Sequence, residues 1–177
     1  MLNGRIERRE SLLKELQSNG IYDYELWDSV HDVKSIVATI NKSHKQIVEY
    51  AMLAGFDSVT IAEDDIRLTH SNSWNYYLSQ IPKDYDIFLG MVYMDWPNKD
   101  GTLRSFTGLT LYTINSRFYK NFLSVPDNEH LDRALSGLGK YIVCKPFVAK
   151  QANGFSSNTG KFESYDLLLA NRDWYSG

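Results

Sequence analysis

Ser58-Val59-Thr60-Ile61-Ala62-Glu63-Asp64-Asp65-Ile66 runs an apolar stretch straight into three adjacent carboxylates. Val59, Ile61 and Ala62 suit a buried strand. Three neighbouring acids repel one another unless they are solvated in a turn or joined by a cation, and Mg²⁺, Mn²⁺ and Ca²⁺ favour carboxylate oxygens. At a strand end side chains alternate, which predicts Glu63 and Asp65 on one face and Asp64 on the other. Two carboxylates would then share the end of a strand, the place where open α/β sheets bind ligands. A plain acidic turn and a metal site both remain open on this stretch alone.

Upstream of it, Ser43-His44-Lys45-Gln46 has the form of a capping box. The predicted helix carries Ile47, Val48, Ala51 and Met52 on one face and stops at Gly55. A helix leading into a buried strand is an αβ step, so parallel pairing is expected. Met1 to Gly4 reads as the end of a first strand, Arg5 to Asn19 as a helix stopped at Asn19-Gly20, Ile21 to Val30 as strand or extended chain, and Val33 to Ile40 as a short strand or helix entry. Downstream, a helix over Trp74 to Ile81 precedes a buried strand over Asp86 to Tyr93, and residues 94–105 read as a loop. A strand over Thr107 to Ile114 leads to a helix capped at Asn115 or Ser116, and Asp127 to a second one that Gly137 ends. Tyr141 to Cys144 is a short strand, Pro146 to Gln151 is extended, residues 154–160 are small and polar, and Tyr165 to Arg172 is helical. This alternation predicts an α/β fold in a single domain, 1–177, with a mostly parallel central sheet flanked by helices.

The net charge of −3 gives no broad basic surface, so a nucleic acid would need a local patch. The single Cys144 excludes an internal disulfide framework and a Cys-rich zinc site, and fits a reducing compartment. No apolar run approaches the roughly 20 residues that span a bilayer. The expectation is a cytoplasmic protein without signal peptide or membrane anchor.

In this order the features resemble the GT-A glycosyltransferases, and most closely glycosyltransferase family 25 of lipopolysaccharide and collagen glycosylation. Arg5 and Arg8-Arg9 open the first helix, and Ser43-His44 opens the helix before the acidic strand. Ile61-Ala62-Glu63-Asp64-Asp65-Ile66 is similar to the family's acidic DXD-type motif, and Asp86-Ile87 begins the next strand. Gly108 to Tyr112, Leu131-Asp132 and the closing Pro146-Phe147, Gln151 and Ser156-Ser157 follow. Two departures stand out: the first strand is nearly missing before Gly4, and Asn158 follows Ser157 where the family has an acid.

The resemblance implies a GT-A-like (Rossmann-like) domain that moves a sugar from a nucleotide-diphosphate donor, a UDP-sugar, to a hydroxyl of a saccharide, protein or modified DNA base, with inversion. A Mn²⁺ or Mg²⁺ ion would neutralise the departing diphosphate. Asp65 would be the direct metal ligand, Glu63 would bind directly or through water, and Asp64 would contact donor ribose or sugar. Asp132 would deprotonate the acceptor; it reads equally as a helical acid beside Arg133. Arg5, Arg8 and Arg9 would meet the diphosphate at a helix start, or be solvated helix charge. His44, Lys150 and Gln151 would contact donor or acidic loop, His130 is a second candidate for the metal, and Trp74, Tyr93 and Trp96 are candidate stacking surfaces. Two other readings stay open: a metal-dependent phosphatase, nuclease or nucleotidyltransferase using the same triplet, and a non-catalytic GT-A-like binding module.

Overall fold

A computed structural model describes residues 2–30, 35–156 and 159–177. The chain opens with helix α1 (Leu2–Ser18), so the expected strand end at Met1–Gly4 is replaced by helix from Leu2 onward. Asn19 and Gly20 stop it as predicted, with Gly20 at φ 69. Residues 21–30 form neither helix nor strand; Val30 N–H donates to Ser43 Oγ at 2.9 Å, and Trp27 leans on Tyr50 with ring centroids 5.1 Å apart.

Helix α2 (Ile36–Ala54) begins before the expected capping box. Its cap is Ser35, whose Oγ accepts from Ala38 N–H at 3.3 Å, while Ser43 lies inside the helix and donates to Thr39 C=O at 2.7 Å. The reason is the buried stripe Ala38, Asn41, His44, Val48 and Ala51, whose helical spacing extends upstream of Ser43. Gly55, at φ 73, ends the helix with bonds to the Ala51 and Met52 carbonyls.

Strand β1 (Ser58–Ala62) follows, then β2 (Ile66–Leu68), α3 (Ser73–Gln80), β3 (Ile87–Leu89), β4 (Met94–Pro97), β5 (Leu103–Thr107) and β6 (Leu111–Asn115). A short 3-10 helix (Ser116–Phe118) capped by Asn115, α4 (Tyr119–Ser124) and α5 (Leu131–Ala134) lead to β7 (Tyr141–Val143). β8 (Ala149–Gln151), β9 (Gly154–Ser156), β10 (Lys161–Glu163) and α6 (Tyr165–Leu168) complete the chain. The loop expected over 94–105 is instead the β4–β5 hairpin, turning at Asn98–Gly101 with Gly101 at φ 83. The strand expected over 107–114 is broken at Gly108, φ 101. Asp127 caps no helix; it pairs with Lys45 at 2.6 Å, and His130 holds the position before α5.

The main sheet has six strands in the order β1-β6-β3-β7-β5-β4. The mostly parallel sheet expected from the αβ steps is not found: four of its five pairings are antiparallel, and only β3–β7 is parallel. The physical reason is β6. It inserts between β1 and β3, and bonds both in antiparallel register, Ile61 and Leu89 each facing Tyr112. β1, β3 and β7 still run the same way, so their carboxyl ends share one edge of the sheet. β2 and β8 form a separate antiparallel pair, with Ile66 opposite Gln151.

The core lies between this sheet and the helices, with Val48, Ile87, Leu89, Tyr112, Ile114 and Phe122 buried. Within it Tyr77 OH donates to Phe88 C=O at 3.0 Å and meets Thr113 Oγ1 at 2.9 Å, while Tyr119 OH is buried without a partner among the described residues. Among the described residues no helix is long and apolar enough to cross a membrane.

Candidate active site

The acidic stretch turns immediately after β1. Glu63 N–H continues the ladder to Thr110 C=O at 2.9 Å, and Ile66 N–H closes a turn on Glu63 C=O at 3.2 Å. Asp64 and Asp65 are therefore the central residues of a tight turn rather than alternating positions of a strand. The expected grouping of Glu63 with Asp65 changes accordingly. Asp64 and Asp65 line a cleft of about 310 Å³, and Glu63 turns toward His44.

Asp65 is the unusual member of the turn. One oxygen, Oδ2, accepts from Gln151 Nε2 at 2.6 Å, while Oδ1 is buried without a partner among the described residues. Burial and the neighbouring Glu63 charge push its carboxyl from 3.8 up to about 6. A solvated acidic turn would expose this group; here its charge is held in a low-dielectric setting that a cation would relieve.

Gln151 is oriented in turn by Tyr93, whose hydroxyl donates to its Oε1. An amide fixed at its oxygen presents its NH₂ to Asp65. Tyr93 is clamped in place. Its N–H donates to Thr107 C=O at 2.8 Å, its carbonyl accepts from Arg172, and Tyr165 stacks on its ring at 5.5 Å and 22°. Its ring also lies against Gly108, where an added Cβ would stand 2.8 Å from it. Burial, reinforced by the Glu63 charge, pushes the phenol well above its ordinary range, so it stays protonated and donates.

Arg8, on α1, also lines the cleft. Its Nη1 lies 3.4 Å from Asp64 Oδ1 and its Nη2 donates to Phe155 C=O at 2.8 Å. Arg67 adds a second guanidinium, braced on Ser11 Oγ at 2.6 Å and on the Ile66 carbonyl. His44, buried on α2, meets Tyr112 OH through Nδ1 at 2.5 Å and lies 3.7 Å from Glu63 Oε1 through Nε2. It supports the turn from behind rather than lining the cleft.

Of the sequence-predicted residues, Arg8, Asp64, Asp65 and Gln151 come together, with Glu63 and His44 directly behind. The side chain of Arg5 lies outside the described residues, and Arg9 is exposed. Lys150 does not line the cleft; it pairs with Asp166 at 2.6 Å. Asp132 does not line the cleft: its Oδ2 accepts from Gly108 N–H at 3.0 Å and its Oδ1 from Arg133 N–H at 2.8 Å. It thereby holds the glycine on which Tyr93 packs. Trp74 stacks on Tyr77, and Trp96 lies on β4. His130 makes no capping bond. Arg67, Tyr165 and Asn153 join the site without having been singled out in the sequence; only Arg67, directly behind the acidic stretch, carried a local signal.

The oxygen donors suit a hard divalent cation. Among the described residues no three His, Cys, Asp or Glu side chains converge on one point. A divalent ion here would have to be held by one or two carboxylates, with its remaining positions filled by oxygens from outside the chain. The unpartnered Asp65 Oδ1 is the oxygen that could take one such position.

No known protein family matches this sequence, and no curated protein matches it either.

Proposed function

We propose that this chain is a metal-dependent glycosyltransferase that takes a sugar from a nucleotide-diphosphate donor to an acceptor hydroxyl. The observation that carries the reading is the buried, unpartnered oxygen of Asp65, a residue lining a cleft that Arg8 and Arg67 also line. A carboxylate with an unpartnered oxygen, beside two guanidiniums lining the same cleft, fits a metal ion and the diphosphate it would carry.

Asp65 would hold Mn²⁺ or Mg²⁺, with Glu63 contributing directly or through water. When bound, the ion neutralises the charge gathered on the departing diphosphate. Arg8 and Arg67 orient the phosphates with forked donors, and Asp64 is placed to meet ribose or sugar hydroxyls. Gln151, set by Tyr93, keeps Asp65 aimed at the cleft. Deprotonation of the acceptor belongs to a second carboxylate, and Asp132 is the sequence's choice for it.

One observation favours a second reading, a nucleotide-binding module without turnover. Both Asp132 oxygens accept backbone bonds, so its contacts hold Gly108 instead of reaching the cleft. Calorimetry with Mn²⁺ and a nucleotide-sugar panel, followed by a transfer assay, separates the readings. Metal-dependent nucleotide binding with turnover that Asp132→Ala abolishes supports the transferase. Binding without turnover supports the module, and absence of any metal-dependent nucleotide binding sinks both.

A further inference from the structure

The β9–β10 hairpin beside the cleft places Phe155 directly opposite Phe162. Directly opposed residues of an antiparallel pair share one face, so the two rings stand together on the ribbon. Both lie in the open, 60% and 71% exposed, and neither joins the core. Phe155 also lines the acidic cleft, and its carbonyl is gripped by the guanidinium that faces Asp64. The aromatic face is thus tethered to the charged wall through Arg8. Gly154, Ser156, Lys161 and Glu163 alternate with the two rings, so among the paired residues of the ribbon the ring-bearing face carries only Phe155 and Phe162.

We propose that this Phe155–Phe162 face is the stacking platform for the nucleobase of the ligand bound in the cleft. The proposal rests on the reading of that cleft as a diphosphate site. The base is the only flat, largely apolar part of a nucleotide-diphosphate sugar. Its phosphates are drawn to Arg8 and Arg67, which leaves the base to meet the neighbouring aromatic ribbon. A platform of phenyl rings without polar groups holds bases by their π faces and reads none of their edges, so it tolerates any base. Recognition would then be of a nucleoside diphosphate generally, without selection for uracil.

Calorimetry in saturating Mn²⁺ tests this with UDP, ADP and inorganic pyrophosphate, on the wild type and on a Phe155→Ala, Phe162→Ala double variant. Both side chains are exposed, so the variant is expected to keep its melting temperature. In the wild type, UDP and ADP should bind within about tenfold of each other and each at least about tenfold more tightly than pyrophosphate. The double variant should lose that advantage while binding pyrophosphate unchanged. If pyrophosphate and UDP bind the wild type equally, or the variant keeps its UDP affinity, the platform is overturned and the cleft reading stands. If neither pyrophosphate nor UDP binds the wild type, the cleft reading itself has failed and the platform falls with it.

Discussion

Asp65 carries more of this site than its neighbours because its environment, and not its residue type, sets its behaviour. Its carboxyl titrates near 6 when folded and near 3.8 otherwise, so between those values the folded chain keeps a proton that the unfolded chain has released. Stability in metal-free buffer should therefore fall as pH rises from about 4 to about 6, by roughly 2–3 kcal/mol, and this contribution should be flat above that window. Denaturant titrations of the wild type and Asp65→Asn across this range provide the check: the difference in stability between the two should change by that amount over the window and be constant above it. At pH 7 Asp65→Asn should melt no lower than the wild type without metal, since it removes a poorly compensated charge, yet lose Mn²⁺ binding. Unchanged Mn²⁺ binding would mean the turn holds no metal. Tyr93→Phe deletes the donor that orients Gln151. It should cost about 1 kcal/mol in a chemical melt and weaken Mn²⁺ binding while Asp65 is intact. The sequence pointed to Asp65 and Gln151 as individual residues, but not to the bond between them, since 86 positions separate the two.

Among the elements, local signals were read correctly where local chemistry decided and wrongly where packing did. Gly55 and the Asn19-Gly20 stop end their helices as expected, because a left-handed cap is a backbone requirement that glycine meets alone. The Ser43 capping box failed because a buried stripe carried α2 back to Ser35. Ser35→Ala should accordingly lower stability by about 1 kcal/mol by loss of the cap in thermal or chemical unfolding. The three acids form a turn where strand alternation was expected, because the Ile66 bond to Glu63 closes the chain on itself. Gly108 links two elements of the site: it breaks the strand expected over 107–114, accepts the Tyr93 ring and donates to Asp132. Gly108→Ala combines a left-handed φ with a close contact, so a loss of about 1–3 kcal/mol is expected, with lowered Mn²⁺ affinity as Tyr93 shifts. A melt indistinguishable from wild type would show that Tyr93 is free to give way.

At the scale of the whole molecule, ligand and fold should be coupled, since the cleft joins α1, the β1–β2 turn and the β9–β10 hairpin. A ligand bound only by the folded state stabilises it by mass action, so Mn²⁺ with UDP at about 100 times the dissociation constant should add roughly 2.7 kcal/mol. The resulting rise in melting temperature should be absent in Asp65→Asn. By itself the sequence determined the class of the fold, the helix stops and the acidic stretch with its oxygen chemistry, because periodicity, backbone freedom and side-chain charge are local properties. Only the tertiary structure decided that β6 lies between β1 and β3, that Asp65 is buried and Asp64 open, and that Asp132 is bound to Gly108. Those outcomes depend on which distant segments meet, and the chain encodes them through packing over its whole length.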